Sequence, residues 1–172
     1  FGTGASNYIV YNSSNAFGTG LFTVSNLTGR IDTGGNVTLP NDFLINSTSL
    51  QYRTIGANTI TVTGNISGIG GINKTGNGLL DLQGTLTYTG GTTRTAGTIR
   101  AYKTTGASTA TASFTTGLSV SFNVSPPSGI TTFRFFQGSF NLSYGAVTLV
   151  GVPVGTTATW TAATSTLAVT VP

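Results

Sequence analysis

A register of about twenty residues, punctuated by glycine, constrains this chain more than any other feature. Four segments share the form apolar-x-x-x-Gly: Ile60-Thr-Val-Thr-Gly64, Ile72-Asn-Lys-Thr-Gly76, Leu80-Asp-Leu-Gln-Gly84 and Leu86-Thr-Tyr-Thr-Gly90. Ile60 aligns with Leu80, Val62 with Leu82 and Ile66 with Leu86; Leu39 to Ile60 spans 21 residues and Leu80 to Ile99 spans 19. Units of this length, made of short strands and glycine turns, bury their apolar side only by stacking, which is the logic of a solenoid. Three short strands plus turns consume about that length per coil, at about 3.3 Å per residue. The segment from Ala16 to Lys103 therefore accommodates about four coils. Parallel backbone pairing would join them, with inward Ile, Leu and Val in a column and outward Thr and Asn in ladders. Gly and Asn at the corners accept left-handed backbone angles. The expected hand is right, as for most parallel crossovers.

Composition supports strands. Thr (35), Gly (25), Ser (16) and Asn (13) make up just over half of the 172 residues, whereas Glu is absent and Lys occurs twice. The best helix formers are thus scarce and the β-favouring types abundant. A hydrophobic fraction of 38% with only 5 Pro is enough for a core and argues against disorder. Thr59–Thr63, Leu118–Val124 and Leu167–Val171 alternate with the period of two that marks a strand.

Specific blocks carry a resemblance. Ala16-Phe-Gly-Thr-Gly-Leu-Phe-Thr-Val24, Gly34-Gly-Asn-Val-Thr-Leu39 and Ile66-Ser-Gly-Ile-Gly-Gly-Ile-Asn-Lys-Thr-Gly-Asn-Gly-Leu-Leu-Asp-Leu82 set a pattern. Leu86-Thr-Tyr-Thr-Gly-Gly-Thr-Thr93 and Ala96-Gly-Thr-Ile99 continue it. Residues 16–101 resemble the β-strand repeat associated with autotransporter passengers. The resemblance implies a right-handed parallel β-helix within a large secreted, surface-displayed or virion protein. It implies no enzymatic activity and transfers no catalytic residues.

Three parts follow from the pattern. Residues 1–15 hold one short strand, Asn7 to Tyr11, either the first rung of the helix or an arm that pairs with a neighbour's open edge. Residues 16–103 are the parallel repeats. In residues 104–172 the texture becomes richer in Phe, with strands read at Ala110–Phe114, Leu118–Val124, Thr132–Phe136, Ala146–Val150, Thr157–Thr161 and Leu167–Val171. Short strands at roughly ten-residue spacing predict a small antiparallel β-sandwich-like module, with Phe114, Phe122, Phe133, Phe135 and Trp160 in its core. Such a module would also cap the open last coil. Phe1 reads as a processed terminus or as a cut within a longer protein.

The residue inventory excludes much chemistry. With no Cys and no His, the chain has no ordinary zinc, haem or iron–sulfur site, no disulfide, and no Ser-His-Asp triad. The longest apolar-leaning run, Ala146 to Val154, is too short to cross a membrane. The seven cations, Arg30, Arg53, Lys74, Arg94, Arg100, Lys103 and Arg134, are dispersed rather than gathered on one face, so no nucleic-acid surface is expected. The only carboxylates are Asp32, Asp42 and Asp81. Cleavage of polysaccharides needs two or three of them to converge, and no pair shares a motif. Asp81, between Leu80 and Leu82, should point outward. No acidic partner accompanies the Gly68–Gly71 and Gly76–Gly78 turns, so calcium is not expected, and no cofactor is implied.

Two residue sets remain. Asn12, Asn26, Asn36, Asn46, Asn65, Asn73, Asn123 and Asn141 each open an Asn-x-Ser/Thr sequon, an N-glycosylation signal in a glycosylating host. Tyr8, Tyr11, Tyr52, Tyr88, Tyr102 and Tyr144 could stack on sugar, although most aromatics should be core. Tyr88, Tyr102 and Phe136 are the candidate glycan contacts. The expected function is that of a non-enzymatic extracellular structural protein. It would be a surface-displayed or fibre-forming β-helix subunit that self-associates, with an adhesin role toward a surface glycan. The alternative is a phage virion component, and a polysaccharide-active enzyme ranks last.

Overall fold

β-branched and aromatic residues alternating with Thr, Ser and Asn favour extended backbone, and glycines interrupt it every few residues. The computed structural model describes residues 7–10, 12–14, 17–25 and 29–172, and among them are eighteen strands and no helix.

The parallel β-helix has three walls, A, B and C. In chain order β1 (Asn7–Val10) lies in A, β2 (Phe22–Val24) in B, β3 (Gly29–Thr33) in A, β4 (Val37–Leu39) in C and β5 (Phe43–Ile45) in B. Then come β6 (Ser49–Thr54) in A, β7 (Thr59–Val62) in C, β8 (Ile66–Gly68) in B, β9 (Gly71–Thr75) in A and β10 (Leu79–Leu82) in C. On the last coil Leu86 holds wall B's place through a single parallel bridge to Ile66, followed by β11 (Thr92–Arg94) in A and β12 (Thr98–Thr105) in C. Among β1 to β12 all pairing is parallel, and the solenoid makes about four turns. The N-terminal strand is its first rung, paired in parallel with β3. Tyr11 and Asn26 fall outside the described residues, as does the side chain of Tyr8.

The register follows the repeat closely. Ile60 pairs with Leu80, Val62 with Leu82, Leu80 with Ile99, and Ile66 bridges to Leu86. One alignment shifts: Ile60 sits beside Val37, and Leu39 beside Val62. The step there is 23 residues instead of 21, because the turn through Gly56, at φ +69°, takes up extra chain between β6 and β7. Inside, Leu39, Ile60, Val62, Leu80, Leu82 and Ile99 are at most 1% exposed. Each contributes about 1.5–3 kcal/mol by leaving water.

Close rung contacts explain two of the glycines. A Cβ at Gly64 would lie 2.0 Å from the Asn41 carbonyl oxygen, and one at Gly84 would lie 2.0 Å from the Gly64 carbonyl oxygen. Corner side chains tie successive coils. The Asn36 Oδ1 accepts from the Thr59 N–H at 2.8 Å, the Asn65 Oδ1 from the Thr85 N–H at 3.0 Å, and the Asp42 Oδ1 from the Asn65 N–H at 2.7 Å.

Beyond Thr104 the strands reverse direction without leaving wall C. β13 (Ser108–Phe114) folds back antiparallel on β12, and β14 (Leu118–Phe122) on β13. After β15 (Gly129–Arg134), β16 (Val147–Val150) joins β14 in parallel and completes a seven-stranded wall. β15, β17 (Thr157–Thr161) and β18 (Thr166–Val171) form a separate antiparallel sheet D in the order β15-β18-β17. The extension of wall C and sheet D face each other, with Phe122 and Phe133 ring centroids 5.4 Å apart. One apolar core runs from the first coil into this sandwich. Phe114 is its hub, with ring centroids of Phe140, Trp160, Phe136 and Phe135 at 4.7 to 5.7 Å.

The segment after β15 closes the last coil. The Thr92 N–H donates to the Ser139 carbonyl at 2.7 Å, and the Asn141 N–H donates to the Thr92 carbonyl at 3.0 Å. Gly138 packs so tightly on the Gly90 carbonyl that a Cβ would lie 2.1 Å from its oxygen. Wall A is thereby continued for one further bridge, which leaves β11 with its outer edge paired.

Candidate ligand groove

Wall C brings polar residues into rows on its outer face. Asp81 pairs in register with Arg100, and it stands opposite the buried Leu80 and Leu82, on the outward side as expected. It is nevertheless only 2% exposed, because neighbouring side chains cover it. Arg100 reaches it with two hydrogen bonds, Nε at 2.9 Å and Nη2 at 2.7 Å, and the Gln83 Nε2 donates at 2.9 Å. Burial alone would raise the Asp81 pKa, but Arg100, Gln83 and Tyr102 together hold it below the ordinary carboxylate value. Burial and the Asp81 charge in turn raise the Tyr102 phenol.

Beside this network a groove of about 570 Å³ opens where the last coil meets the Phe135–Gln137 segment. Gln83, Thr85, Thr87, Tyr102, Lys103 and Gln137 give it a polar lining. Leu86 and Phe135 provide the apolar part. Its far rim is held in place by Arg134, whose Nε donates to the Phe136 carbonyl at 3.2 Å and whose Nη2 donates to the Gln137 carbonyl.

Of the three candidate glycan contacts, only Tyr102 reaches this groove. Tyr88 and Phe136 are both 0% exposed and offer no ring to a ligand. Their positions are set by the end of the helix. The Tyr88 hydroxyl shares a 2.5 Å hydrogen bond with the Thr92 Oγ1, and the Phe136 ring lies between Tyr88 and Phe140, sealing the apolar column. Phe135, its neighbour in the segment just past β15, is buried too. Sequence reasoning missed the amides. The chain has three Gln, and two of them, Gln83 and Gln137, line the groove. That scarcity was the one available signal.

The carboxylates stay apart. Asp32, on the outer face of wall A, pairs with Arg30 at 2.8 Å and Arg53 at 3.3 Å. Asp42 precedes β5 in wall B and is exposed, and Asp81 belongs to wall C. No family model, curated protein or solved structure matches the chain.

Among the described residues, six of the sequon asparagines tie other segments through their side chains. Asn12, Asn36, Asn65 and Asn123 each accept a backbone N–H through Oδ1, and Asn73 meets Thr95 at 3.4 Å. Asn141 bonds both backbone groups of Arg94. For Asn46 only the backbone is tied, its N–H donating to the Val24 carbonyl.

A second polar cluster lies inside wall A. Tyr52, Lys74 and Arg94 stack in register. Lys74 is 0% exposed and has no carboxylate partner among the described residues. Its ammonium donates to the Thr75 and Gly76 carbonyls, both at 2.7 Å, and to the Thr54 Oγ1 at 3.1 Å. Burial, with the Arg94 charge second, pushes its pKa down to about 8.

Proposed function

We propose that this chain is a non-enzymatic structural subunit of the extracellular space, akin to autotransporter passengers, displayed on a surface or built into a fibre. The observation that carries the reading is the single apolar core running unbroken through all coils into the cap. Such a body resists proteolysis because parallel ladders lock each coil to the next and most of its cations are held. Arg30, Arg53 and Arg100 are in ion pairs, Lys74 is buried, and Arg94 and Arg134 donate to carbonyls.

The non-enzymatic part rests on the carboxylates. Hydrolysis between two carboxyl groups requires them within about 10 Å of one another across one bond. Asp32, Asp42 and Asp81 instead belong to three different walls, and each is used by an ion pair or a backbone N–H. Self-association would use strand edges. Among the described strands β4 and β16 end wall C, and Val150 at the end of β16 and Val154 just beyond it are 56% and 100% exposed.

Light scattering after size exclusion, combined with trypsin digestion, tests this reading. Assembly above the monomer and survival of the intact chain support it. A stable trimer shifts the assignment toward a virion fibre. A monomer that trypsin degrades rapidly overturns it.

A further inference from the structure

We infer that the groove beside Tyr102 binds an acidic oligosaccharide, a sugar chain bearing carboxylate or sulfate groups. Charge is the first argument. Lys103 lies in the groove, and among the described residues its ammonium has no hydrogen-bond or ion-pair partner. Asp81, which bonds the lining Gln83, is already neutralised by the two bonds from Arg100. Lys103 is the only charged residue in the lining, and the whole chain carries a net charge of +4.

Hydrogen-bonding capacity is the second. The amides of Gln83 and Gln137 and the hydroxyls of Thr85 and Thr87 offer donors and acceptors at several points, matching the hydroxyls of a sugar. Polar side chains outnumber the apolar Leu86 and Phe135 in the lining, which favours a hydroxyl-rich ligand over a lipid. A single free cation is too few for a nucleic-acid backbone, whose binding requires several phosphate contacts.

Pre-organisation is the third. Asp81 fixes Gln83, the same network borders Tyr102, and Arg134 pins the backbone on the far rim. A ligand would find these groups already ordered, which lowers the entropy lost on binding. The volume, about 570 Å³, lies within the usual range of binding clefts, about 300–1,000 Å³. This inference stands apart from the scaffold proposal: a monomer that binds sugar overturns assembly and leaves the groove intact.

Isothermal titration of the full chain with three tetrasaccharides tests it: tetragalacturonate, a heparin tetrasaccharide and neutral chitotetraose. The expected result is binding of at least one acidic probe, weakened by added salt, with chitotetraose at least tenfold weaker. The two acidic arms distinguish carboxylate from sulfate recognition. Lys103→Gln and Gln137→Ala should each reduce affinity about tenfold, equivalent to about 1.4 kcal/mol. Arg53→Gln, on wall A, should leave it unchanged. Thermal melts show that each variant is folded. Absence of acidic binding at millimolar concentration, equal affinity for chitotetraose, or an equal loss in Arg53→Gln overturns the inference.

Discussion

Asn141 holds the backbone of Arg94 with both ends of its amide: Oδ1 accepts the Arg94 N–H at 2.8 Å and Nδ2 donates to the Arg94 carbonyl at 3.2 Å. A side chain thus substitutes for the strand that would follow β11 in a longer helix. Asn141→Ala should remove both bonds and destabilise the fold by about 1–2 kcal/mol. Asn141→Asp should fall between, since it keeps the acceptor for the N–H but sets an oxygen against the Arg94 carbonyl. Urea denaturation measures the loss, and hydrogen exchange should show faster exchange at the Arg94 amide. Unchanged exchange there would mean that the cap does not depend on this residue.

Gly84 and Gly117 form a matched pair of glycines. A Cβ at Gly84 would strike the Gly64 carbonyl oxygen, which is backbone and cannot step aside, whereas a Cβ at Gly117 meets nothing within 4 Å. Gly84→Ala should destabilise by about 3 kcal/mol or more. Gly117→Ala should be within about 1 kcal/mol of the parent, and on the stabilising side if its backbone angles suit alanine. Midpoints of thermal unfolding that shift equally in the two variants would contradict the stacked-coil packing.

Lys74 gives a dependence at alkaline pH. Its folded value, about 8, lies below the ordinary 10.5, so between those limits the unfolded chain binds the proton and the folded chain releases it. Stability should therefore rise as pH climbs from about 8 to 10.5. Lys74→Met, which has no titrating group, should lack this rise. Parallel stability curves for the parent and Lys74→Met across that window would refute the assignment.

Asp81 acts at the opposite end of the scale. Its pKa is held below the usual 3.8, so its ion pair stabilises fully above that value and is lost as pH falls toward the lowered one. Asp81→Asn should cost about 1–2 kcal/mol at neutral pH, a modest figure because Arg100 remains partly solvated. That disadvantage should shrink below about pH 4. A gap between parent and variant that persists at pH 2 would place the effect in packing instead.

Much of this architecture was legible because parallel stacking repeats the same demand on every coil. The matches of Ile60 with Leu80 and of Leu80 with Ile99 follow from apolar spacing alone. Leu39 was misaligned because turn length between β6 and β7 is not encoded in the apolar pattern. The strands after Thr104 were located within a few residues, but their partners were not. Alternation fixes which side of a strand is buried and says nothing about the neighbour, so the extension of wall C by β13, β14 and β16 had no local signature. Tyr88 and Phe136 were misplaced for a similar reason, since each is covered by residues about fifty positions away in the chain or next to it on the cap. Corner ties and glycosylation signals draw on the same residue types, so sequons such as those at Asn36 and Asn65 also mark corners where a side chain ties successive coils.

The carbonyl-over-glycine contacts from Asn41 to Gly64 to Gly84 also limit how such a molecule can change in size. Each storey rests directly on the floor below, with no clearance for a bulkier foundation. Whole storeys can be added or removed by duplicating or deleting a complete unit together with its glycine, while fractional insertions are confined to the outer corners. Growth of this body is therefore stepwise, in the manner of masonry rather than of rope.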